Sequence, residues 1–300
     1  MSELLLSTNG LTKQYGHHKA VDKVNLHIKK GAIYGFIGRN GAGKTTCLKM
    51  ISGLARPTAG EIEMFGCKGK ELERIRSRVG CLIEAPGLYG NMNAYTNLKI
   101  KCELFGIRKK GYIEDILETV GLEGVGKKKT KHFSLGMKQR LGIGLALVGE
   151  PDLLVLDEPI NGLDPQGIAE VRDTIQRLRD ERNMTILISS HILEELSKIA
   201  TDYGIIHNGS LLQELTSEEL MKRCSERIEI ELIHPEQAVP ILDRMGFTDK
   251  SHIHIFERLN ESANVNMELA KAGILVNGIS ITSEELETYF LNLTGGNQNA

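Results

Sequence analysis

The strongest constraint on this chain is a glycine-rich segment, residues 38–46, which reads GRNGAGKTT. It fits the phosphate-binding pattern G-x-x-x-x-G-K-[ST]. A triphosphate is a dense cluster of negative oxygens, and backbone N–H groups converge on it only where glycine lets the chain curl closely. Lys44 is placed to reach the outer phosphates as a point charge, and the Thr45 hydroxyl to bind Mg²⁺. We predict that nucleotide contacts the whole loop: Gly38, Arg39, Asn40, Gly41, Ala42, Gly43, Lys44, Thr45 and Thr46.

The sequence on either side of this loop predicts the strand and the helix that the motif requires. Residues 32–37 (AIYGFI) form a short, mostly apolar run that favours a buried strand. Residues 45–54 indicate a helix, whose positive dipole end would face the phosphates. A glycine-rich turn that matches by chance is the alternative, and the correct flanks argue against it.

Composition limits the partners that this chain can have. Its 300 residues leave room for about two domains. The formal net charge of −2 gives no basic field of the kind that attracts nucleic acid. The one local basic run, Lys127, Lys128, Lys129 and Lys131, is interpreted as a solvated face. We therefore expect no nucleic-acid partner.

Cysteine usage and hydropathy favour the cytoplasm. The five cysteines are odd in number and lack the close spacing of a zinc or redox motif, which is typical of reduced, cytosolic proteins. No run of about 18 apolar residues predicts a transmembrane helix. The N-terminal stretch MSELLLSTNG does not resemble a signal peptide. We expect a cytoplasmic protein unless a partner holds it at a membrane.

Along the chain, the pattern predicts a strand-rich core interrupted by helices. Val24, Leu26 and Ile28 alternate with polar residues, as in antiparallel strands. Short strands are predicted at residues 61–65 and 79–83. The middle third, about residues 85–150, is predicted to be a helical insertion, with helical patterns over 97–120 and 134–148 and Ser134 as an N-cap.

Two acids end the next predicted strand, residues 153–158 (LLVLDE). Downstream of a phosphate loop, this is the Walker B arrangement. Asp157 is suited to holding Mg²⁺, and Glu158 to orienting or deprotonating the attacking water. Taken without that loop, two acids at a strand end are equally typical of a solvent-facing turn. His191 follows a further apolar strand, at residues 184–188, either as a ligand-site residue or as a histidine at a helix start.

Together these features resemble the ATP-binding subunit of an ABC transporter over roughly residues 3–215. The most specific part is the segment FSLGMKQR, residues 133–140, a degenerate form of the ABC signature. Ser134 and Gly136 occupy the family's serine and second-glycine positions, whereas Leu135 and Met137 depart from the usual glycine and glutamine.

The resemblance implies a fold and residue roles. The fold is an α/β P-loop ATPase core with an antiparallel β subdomain and a helical insertion, and the reaction is Mg²⁺-assisted ATP hydrolysis with Lys44, Glu158 and His191 as catalytic residues. The implied binding roles are adenine stacking by Tyr15, γ-phosphate contact by His191, contact of Ser134 and Gly136 with ATP on an opposite subunit, and communication across a head-to-tail dimer by Asp164. From the residues alone, Tyr15 is interpreted as an ordinary half-buried tyrosine.

Glu84 departs from the family pattern, which usually has glutamine after this strand. With the following APGLYGNMNAYTNL and the long C-terminal extension, the variant resembles bacitracin-resistance and lantibiotic-immunity exporters. A carboxylate adds charge and loses the amide donor. Near Mg²⁺ it would join Thr45 and Asp157 in tightening metal binding; near the γ-phosphate it would repel.

Residues 1–217 are therefore predicted to be the nucleotide-binding domain and residues 218–300 a small accessory α/β domain. In the second domain, strands are predicted at 228–232, 253–256 and 274–281, and helices at 238–245 and 262–272, with a last helix through Leu293. Thr282 and Glu285 are interpreted as its capping box, and the tail, residues 295–300, as disordered. The expected role of this domain is regulatory or dimer-stabilising.

The sequence thus predicts an ATPase subunit, bound peripherally at the cytoplasmic face of the membrane, that powers export of a peptide antibiotic-like or other substrate. A separate membrane permease and a second ATPase subunit, expected as a homodimer partner, complete the predicted transporter. The alternative is a soluble ABC ATPase acting on ribosomes or DNA. A GTPase is disfavoured because no N-K-x-D segment is present.

Overall fold

The computed structural model describes residues 3–251 and 253–295. The chain divides after Ser217 into two compact units. The strands of the first unit are β1 Leu4–Tyr15, β2 His18–Val24, β3 His27–Lys29, β4 Ile33–Ile37, β5 Ala59–Met64, β6 Cys67–Lys68, β7 Val79–Leu82, β8 Leu153–Asp157, β9 Thr185–Ser190, β10 Asp202–His207 and β11 Ser210–Thr216. Its helices are α1 Lys44–Ile51, α2 Leu72–Ile75, α3 Ala94–Leu104, α4 Tyr112–Thr119, α5 Leu135–Leu147, α6 Pro165–Arg182 and α7 Leu193–Ser197.

A six-stranded sheet in the order β11-β10-β4-β9-β8-β7 carries the site. All its neighbours pair in parallel except β11, which is antiparallel to β10. Strands β4 and β8 are buried along their whole length, as expected for parallel strands covered on both faces. The carboxyl ends of β4, β7, β8 and β9 meet at one edge, where open α/β sheets bind ligands.

A five-stranded antiparallel sheet forms the second layer, in the order β2-β1-β5-β6, with β3 also paired to β1. Val24, Leu26 and Ile28 are fully buried, so the predicted alternation is confirmed. Their hydrophobic core is shared with Leu48 of α1 and Val155 of β8. This shared core fixes α1, and therefore the phosphate loop before it, against the end of β8.

The predicted helical insertion contains α3, α4 and α5. The pattern over residues 97–120 is two helices rather than one, and the break between them contains Gly106 and Gly111, both at positive φ. The predicted N-cap of α5 is confirmed, because the Ser134 hydroxyl accepts a hydrogen bond from the Met137 N–H at 3.2 Å. None of the helices within 3–251 and 253–295 is long and apolar enough to span a bilayer.

The second unit begins at Glu218 and therefore contains α8 Ser217–Cys224 apart from the first residue of that helix. Its remaining elements are β12 Arg227–Leu232, α9 Val239–Arg244, β13 His254–Ile255, α10 Ser262–Lys271, β14 Val276–Thr282 and α11 Leu286–Leu293. The three strands form an antiparallel sheet in the order β13-β12-β14. The unit has its own hydrophobic core, which includes Ile228, Ile230, Leu242, Phe247 and Leu269.

The predicted capping box before α11 is wrong. Thr282 is the last residue of β14, and its hydroxyl donates to Glu229 Oε2 on β12 at 3.0 Å instead of capping a helix. Glu285 occupies the N-cap position of α11 and makes no side-chain capping bond. The predicted disordered tail lies, after Gly295, outside the described residues.

Candidate active site

The phosphate loop connects β4 to α1 and is shaped by glycine. Gly41 and Gly43 have φ values of +82° and +106°. A Cβ at Gly43 would lie 2.4 Å from the Ala20 carbonyl oxygen, so no other residue fits there without displacing β2. A Cβ at Gly41 would meet nothing within 4 Å, because this side of the loop is open. The loop therefore has one closely packed side and one side free for a ligand.

Lys44, the first residue of α1, points back across the loop. Its ammonium donates to the Gly38 carbonyl oxygen at 2.6 Å and lies 3.0 Å from Glu158 Oε1. Within the described part of the chain, Glu158 Oε1 is buried and has no hydrogen-bond partner, so the approach to Lys44 is an ion pair without hydrogen-bond geometry. A buried oxygen left in this condition is poised to change partners.

Asp157 ends β8 and is almost fully buried. Its Oδ2 accepts a hydrogen bond from the Thr45 hydroxyl at 2.8 Å, and its Oδ1 accepts one from the Ser189 hydroxyl at 2.7 Å. The structure thus brings together the hydroxyl and the carboxylate that the sequence assigned to metal binding. Hard oxygen donors of this kind fit Mg²⁺, which is usually bound through one or two carboxylates and substrate phosphates.

Glu158 leaves β8 in the left-handed conformation, with φ +49°. Its Oε2 lies 2.8 Å from Nδ1 of His191, and its backbone N–H donates to the Ser189 hydroxyl at 2.9 Å. The carboxylate is therefore held between Lys44 on one side and His191 on the other. This places the three residues predicted to be catalytic in one contiguous array.

Ser189 is the residue of this array that the sequence did not reveal. Its hydroxyl accepts the Glu158 backbone N–H and donates to Asp157 Oδ1, so a single side chain orients the Asp157 carboxylate and holds the backbone of Glu158. Ser189 pairs with Asp157 in the parallel register of β9 and β8. The sequence shows only a serine at the carboxyl end of an apolar strand. That this serine lies beside Asp157 depends on how β9 and β8 pair in the folded protein.

Glu84 follows β7 and is also left-handed, with φ +63°. Its Oε1 lies 2.5 Å from Nζ of Lys49 on α1, and most of the Glu84 side chain is exposed. Through this hydrogen bond the carboxylate raises the pKa of Lys49 above its ordinary value. Glu84 is thus placed beside the helix that follows the phosphate loop.

The signature segment and the Asp164 loop lie against each other. A Cβ on Gly136 would be 3.4 Å from the Cα of Gly167, so the starts of α5 and α6 approach closely. Asp164 caps α6 by accepting the Gly167 N–H at 3.1 Å. Among the described residues, no hydrogen bond or ion pair joins Ser134 or Gly136 to the phosphate loop of the same chain.

Tyr15 ends β1 with about half of its side chain exposed. The ammonium of Lys13 lies 5.0 Å from the centre of its ring. An aromatic ring presented in this way is available for stacking, and the prediction that it binds adenine stays a prediction.

The sequence profile described as ABC transporter matches residues 21–161. The bacitracin transport ATP-binding protein of Bacillus licheniformis is 44% identical over 299 residues, which cover 97% of this chain and 98% of that protein. A lantibiotic transport ATP-binding protein of Streptococcus pyogenes is 44% identical over 211 residues, 70% of this chain and 90% of that protein.

Solved structures agree with the fold. An ABC transporter ATP-binding cassette in its ADP conformation matches with a TM-score of 0.66 and 25% identity, over 74% of this chain and 95% of that one. A dimeric bacterial cassette matches with a TM-score of 0.63 and 24% identity, over 71% and 98% of the two chains. These similarities confirm the predicted fold class.

Proposed function

The chain belongs to the ABC transporter family as an ATP-binding, ATP-hydrolysing subunit, and we propose that it powers export of a bacitracin- or lantibiotic-like peptide through a separate permease. The observation that carries the substrate class is similarity over 97% of this chain to a bacitracin transport ATP-binding protein. That similarity extends through the accessory unit, residues 218–300, and is not confined to the nucleotide-binding residues 1–217.

The array around Glu158 supports a mechanism of in-line attack by water on the γ-phosphate. The open side of the phosphate loop receives the phosphates, and Lys44 exchanges its ion pair with Glu158 for a phosphate oxygen. Glu158 then orients the attacking water, while His191 holds its other oxygen. Released from Lys44, the carboxylate is a better hydrogen-bond acceptor for that water.

Thr45, Asp157 and Glu84 are the residues that would hold Mg²⁺. The metal supplies neutralisation of the charge on the phosphate oxygens when it is bound. Ser189 keeps Asp157 turned toward Thr45, so that these two oxygen donors stay together. For Glu84, a position near the metal is supported by its place two residues after the end of β7, the strand beside β8.

The positions of the remaining predicted residues support a dimeric assembly. Ser134 is exposed at the start of α5, and among the described residues it makes no hydrogen bond with the phosphate loop of its own chain. A head-to-tail homodimer lets Ser134 and Gly136 contact the ATP of the opposite subunit, with Asp164 beside them at the N-cap of α6. ATP then shifts the population toward the closed dimer, and hydrolysis reopens it. Tyr15 stacks on adenine in each site.

The permease holds this subunit at the cytoplasmic face of the membrane as a peripheral protein. The test is purification of the tagged chain from detergent-solubilised membranes of its own host. A multi-span membrane protein in stoichiometric amount is the expected result. Recovery only in the soluble fraction, with ribosomes or nucleic acid, would overturn the exporter and favour the alternative ABC ATPase.

Glu158→Gln is the matched variant for the substrate class. It should co-purify with the same permease, yet leave the host as sensitive to bacitracin-like peptides as a strain lacking the chain. Unchanged resistance in a strain whose ATPase activity is abolished would contradict the proposed substrate class while leaving the transporter assignment in place.

A further inference from the structure

Helix α1 contributes two lysines to the edge of the six-stranded sheet, and each pairs with a glutamate. The first pair, Lys44 with Glu158, is here named the enclosed pair. The second, Lys49 with Glu84, is named the open pair. Nothing in the sequence pattern or in the general chemistry of phosphate loops requires the second pair.

Strand register explains why the two glutamates are comparable. Leu82 of β7 pairs with Leu156 of β8, and Glu84 and Glu158 each lie two residues beyond that pair. Both glutamates leave their strands at positive φ. The two carboxylates therefore emerge at the same level of neighbouring parallel strands.

Helical spacing explains why Lys49 meets Glu84. Lys49 lies four residues after Thr45, one turn further along the same face of α1. Thr45 on that face bonds Asp157, and the charge of Asp157 also acts on Lys49. The face of α1 that lies toward the oxygens of Thr45 and Asp157 thus also carries the ammonium of Lys49, which pairs with the carboxylate of Glu84.

From this arrangement we infer that Lys49 is a positioning residue, which neutralises Glu84, restrains it beside α1, and competes with Mg²⁺ for its carboxylate. The edge holds three carboxylates, those of Glu84, Asp157 and Glu158, against the ammonium groups of Lys44 and Lys49. Without Lys49, Glu84 is an uncompensated charge free to turn toward the metal. The inference rests on the metal-binding role proposed above for Glu84.

The experiment measures how Mg²⁺ changes binding of the non-hydrolysable analogue adenosine β,γ-imidotriphosphate. Lys49→Met is compared in two backgrounds, native and Glu84→Gln, at about 0.15 M ionic strength, where distant charges are largely screened. In the native background, removing the competitor should raise the apparent Mg²⁺ affinity about two- to fivefold, the range expected for one exposed ion pair. In the Glu84→Gln background the same substitution should change that affinity by less than about 1.5-fold.

Controls separate competition from general charge and from folding. Lys68→Met breaks an exposed pair of 3.0 Å with Glu63 and should leave the Mg²⁺ dependence unchanged. Lys49→Arg keeps the charge and should restore the native value. Thermal unfolding midpoints of all variants are recorded beside the binding data.

Two outcomes overturn the inference. An equal rise in both backgrounds means that Lys49 acts only through its long-range charge, and no rise in either means that it does not act on the metal. Both leave the ATPase function standing, provided that native protein hydrolyses Mg-ATP and Glu158→Gln does not. If the native protein did not hydrolyse Mg-ATP, that result would instead contradict the proposed function.

Discussion

The enclosed pair and the open pair each join a lysine of α1 to a glutamate that follows a strand of the six-stranded sheet, but the two pairs differ in solvent exposure. In the enclosed pair, 5% of the Lys44 side chain and 19% of the Glu158 side chain are exposed. In the open pair the values are 33% for Lys49 and 66% for Glu84. Distance alone would rank the open pair first, at 2.5 Å against 3.0 Å. Solvent reverses that order, because water screens the exposed open pair much more than the mostly buried enclosed pair.

This difference in solvent exposure indicates different functions for the two pairs. Removing one partner of a buried pair leaves an uncompensated charge, at a cost of about 3–5 kcal/mol in known cases. An exposed pair contributes about 0–1 kcal/mol. The enclosed pair therefore belongs to the machinery that handles phosphate and water, whereas the open pair changes metal affinity only by small factors. Variants of the two pairs and of the residue that supports them should follow that ranking.

The largest effect is expected from Glu158→Gln. The amide keeps the size of the side chain but cannot take a proton or attract water as a carboxylate does, so the hydrolysis rate should fall about 10²- to 10⁴-fold. Binding of ATP should persist, because Lys44 is then free for the phosphates. Steady-state phosphate release and nucleotide titration measure the two quantities, with Glu61→Gln, an exposed change on β5, as control. Turnover at the native rate would remove Glu158 from the role assigned to it.

Lys44→Met should weaken ATP binding about 10- to 100-fold, the value of one charge-assisted hydrogen bond of about 1.5–3 kcal/mol. The matched comparison is Lys49→Met on the same helix, which should change Mg²⁺-free nucleotide affinity by no more than about twofold. Fluorescent-nucleotide titration without Mg²⁺ reads both variants. Equal losses of nucleotide affinity in the two variants would show that solvent exposure does not determine which pair acts in nucleotide binding.

The enclosed pair was largely readable from the sequence, and the open pair was not. Lys44 and Glu158 belong to two contiguous motifs whose chemistry fixes their positions, so the sequence predicted that Lys44 contacts the phosphates and that Glu158 orients or deprotonates the attacking water. Glu84 stood out only by its departure from the family pattern. Lys49 carried no signal, because its partner depends on the register of β7 with β8 and on the facing turn of α1.

The same limit explains the other differences. Local patterns predicted the N-cap at Ser134 and the buried strands β4 and β8, since these depend on neighbours in the chain. Ser189 was missed because its partners lie on another strand. The capping box at Thr282 was wrong because a cross-strand bond to Glu229 claimed its hydroxyl. The contact of Ser134 and Gly136 with ATP on an opposite subunit stays a prediction that rests on the family resemblance.

Ser189→Ala tests the support behind the enclosed pair and should have an intermediate effect. The substitution leaves Asp157 Oδ1 and the Glu158 N–H without their shared partner, which should destabilise the fold by about 1–3 kcal/mol and lower the hydrolysis rate about tenfold. Urea unfolding and phosphate release are the measurements. Ser190→Ala is the matched control, because that buried hydroxyl accepts the Ile192 N–H and, among the described residues, bonds no carboxylate. A larger rate loss in Ser190→Ala than in Ser189→Ala would contradict the assigned orientation of the acids.

The smallest expected effect is the response of the open pair to salt. Raising ionic strength from about 0.15 M to about 1 M shortens the Debye length from about 8 Å to about 3 Å. At the higher ionic strength, the ratio of the apparent Mg²⁺ affinity of Lys49→Met to that of native protein should therefore fall toward one, because salt has already weakened the Lys49–Glu84 pair of the native protein. The loss of nucleotide affinity in Lys44→Met should stay at about tenfold or more, because a hydrogen-bonded contact from a buried ammonium is screened much less. Titrations of both variants at the two salt concentrations make the measurement. If the two effects fell by the same factor, the enclosed and open pairs would be electrostatically equivalent, and burial would not explain why only one of them handles phosphate.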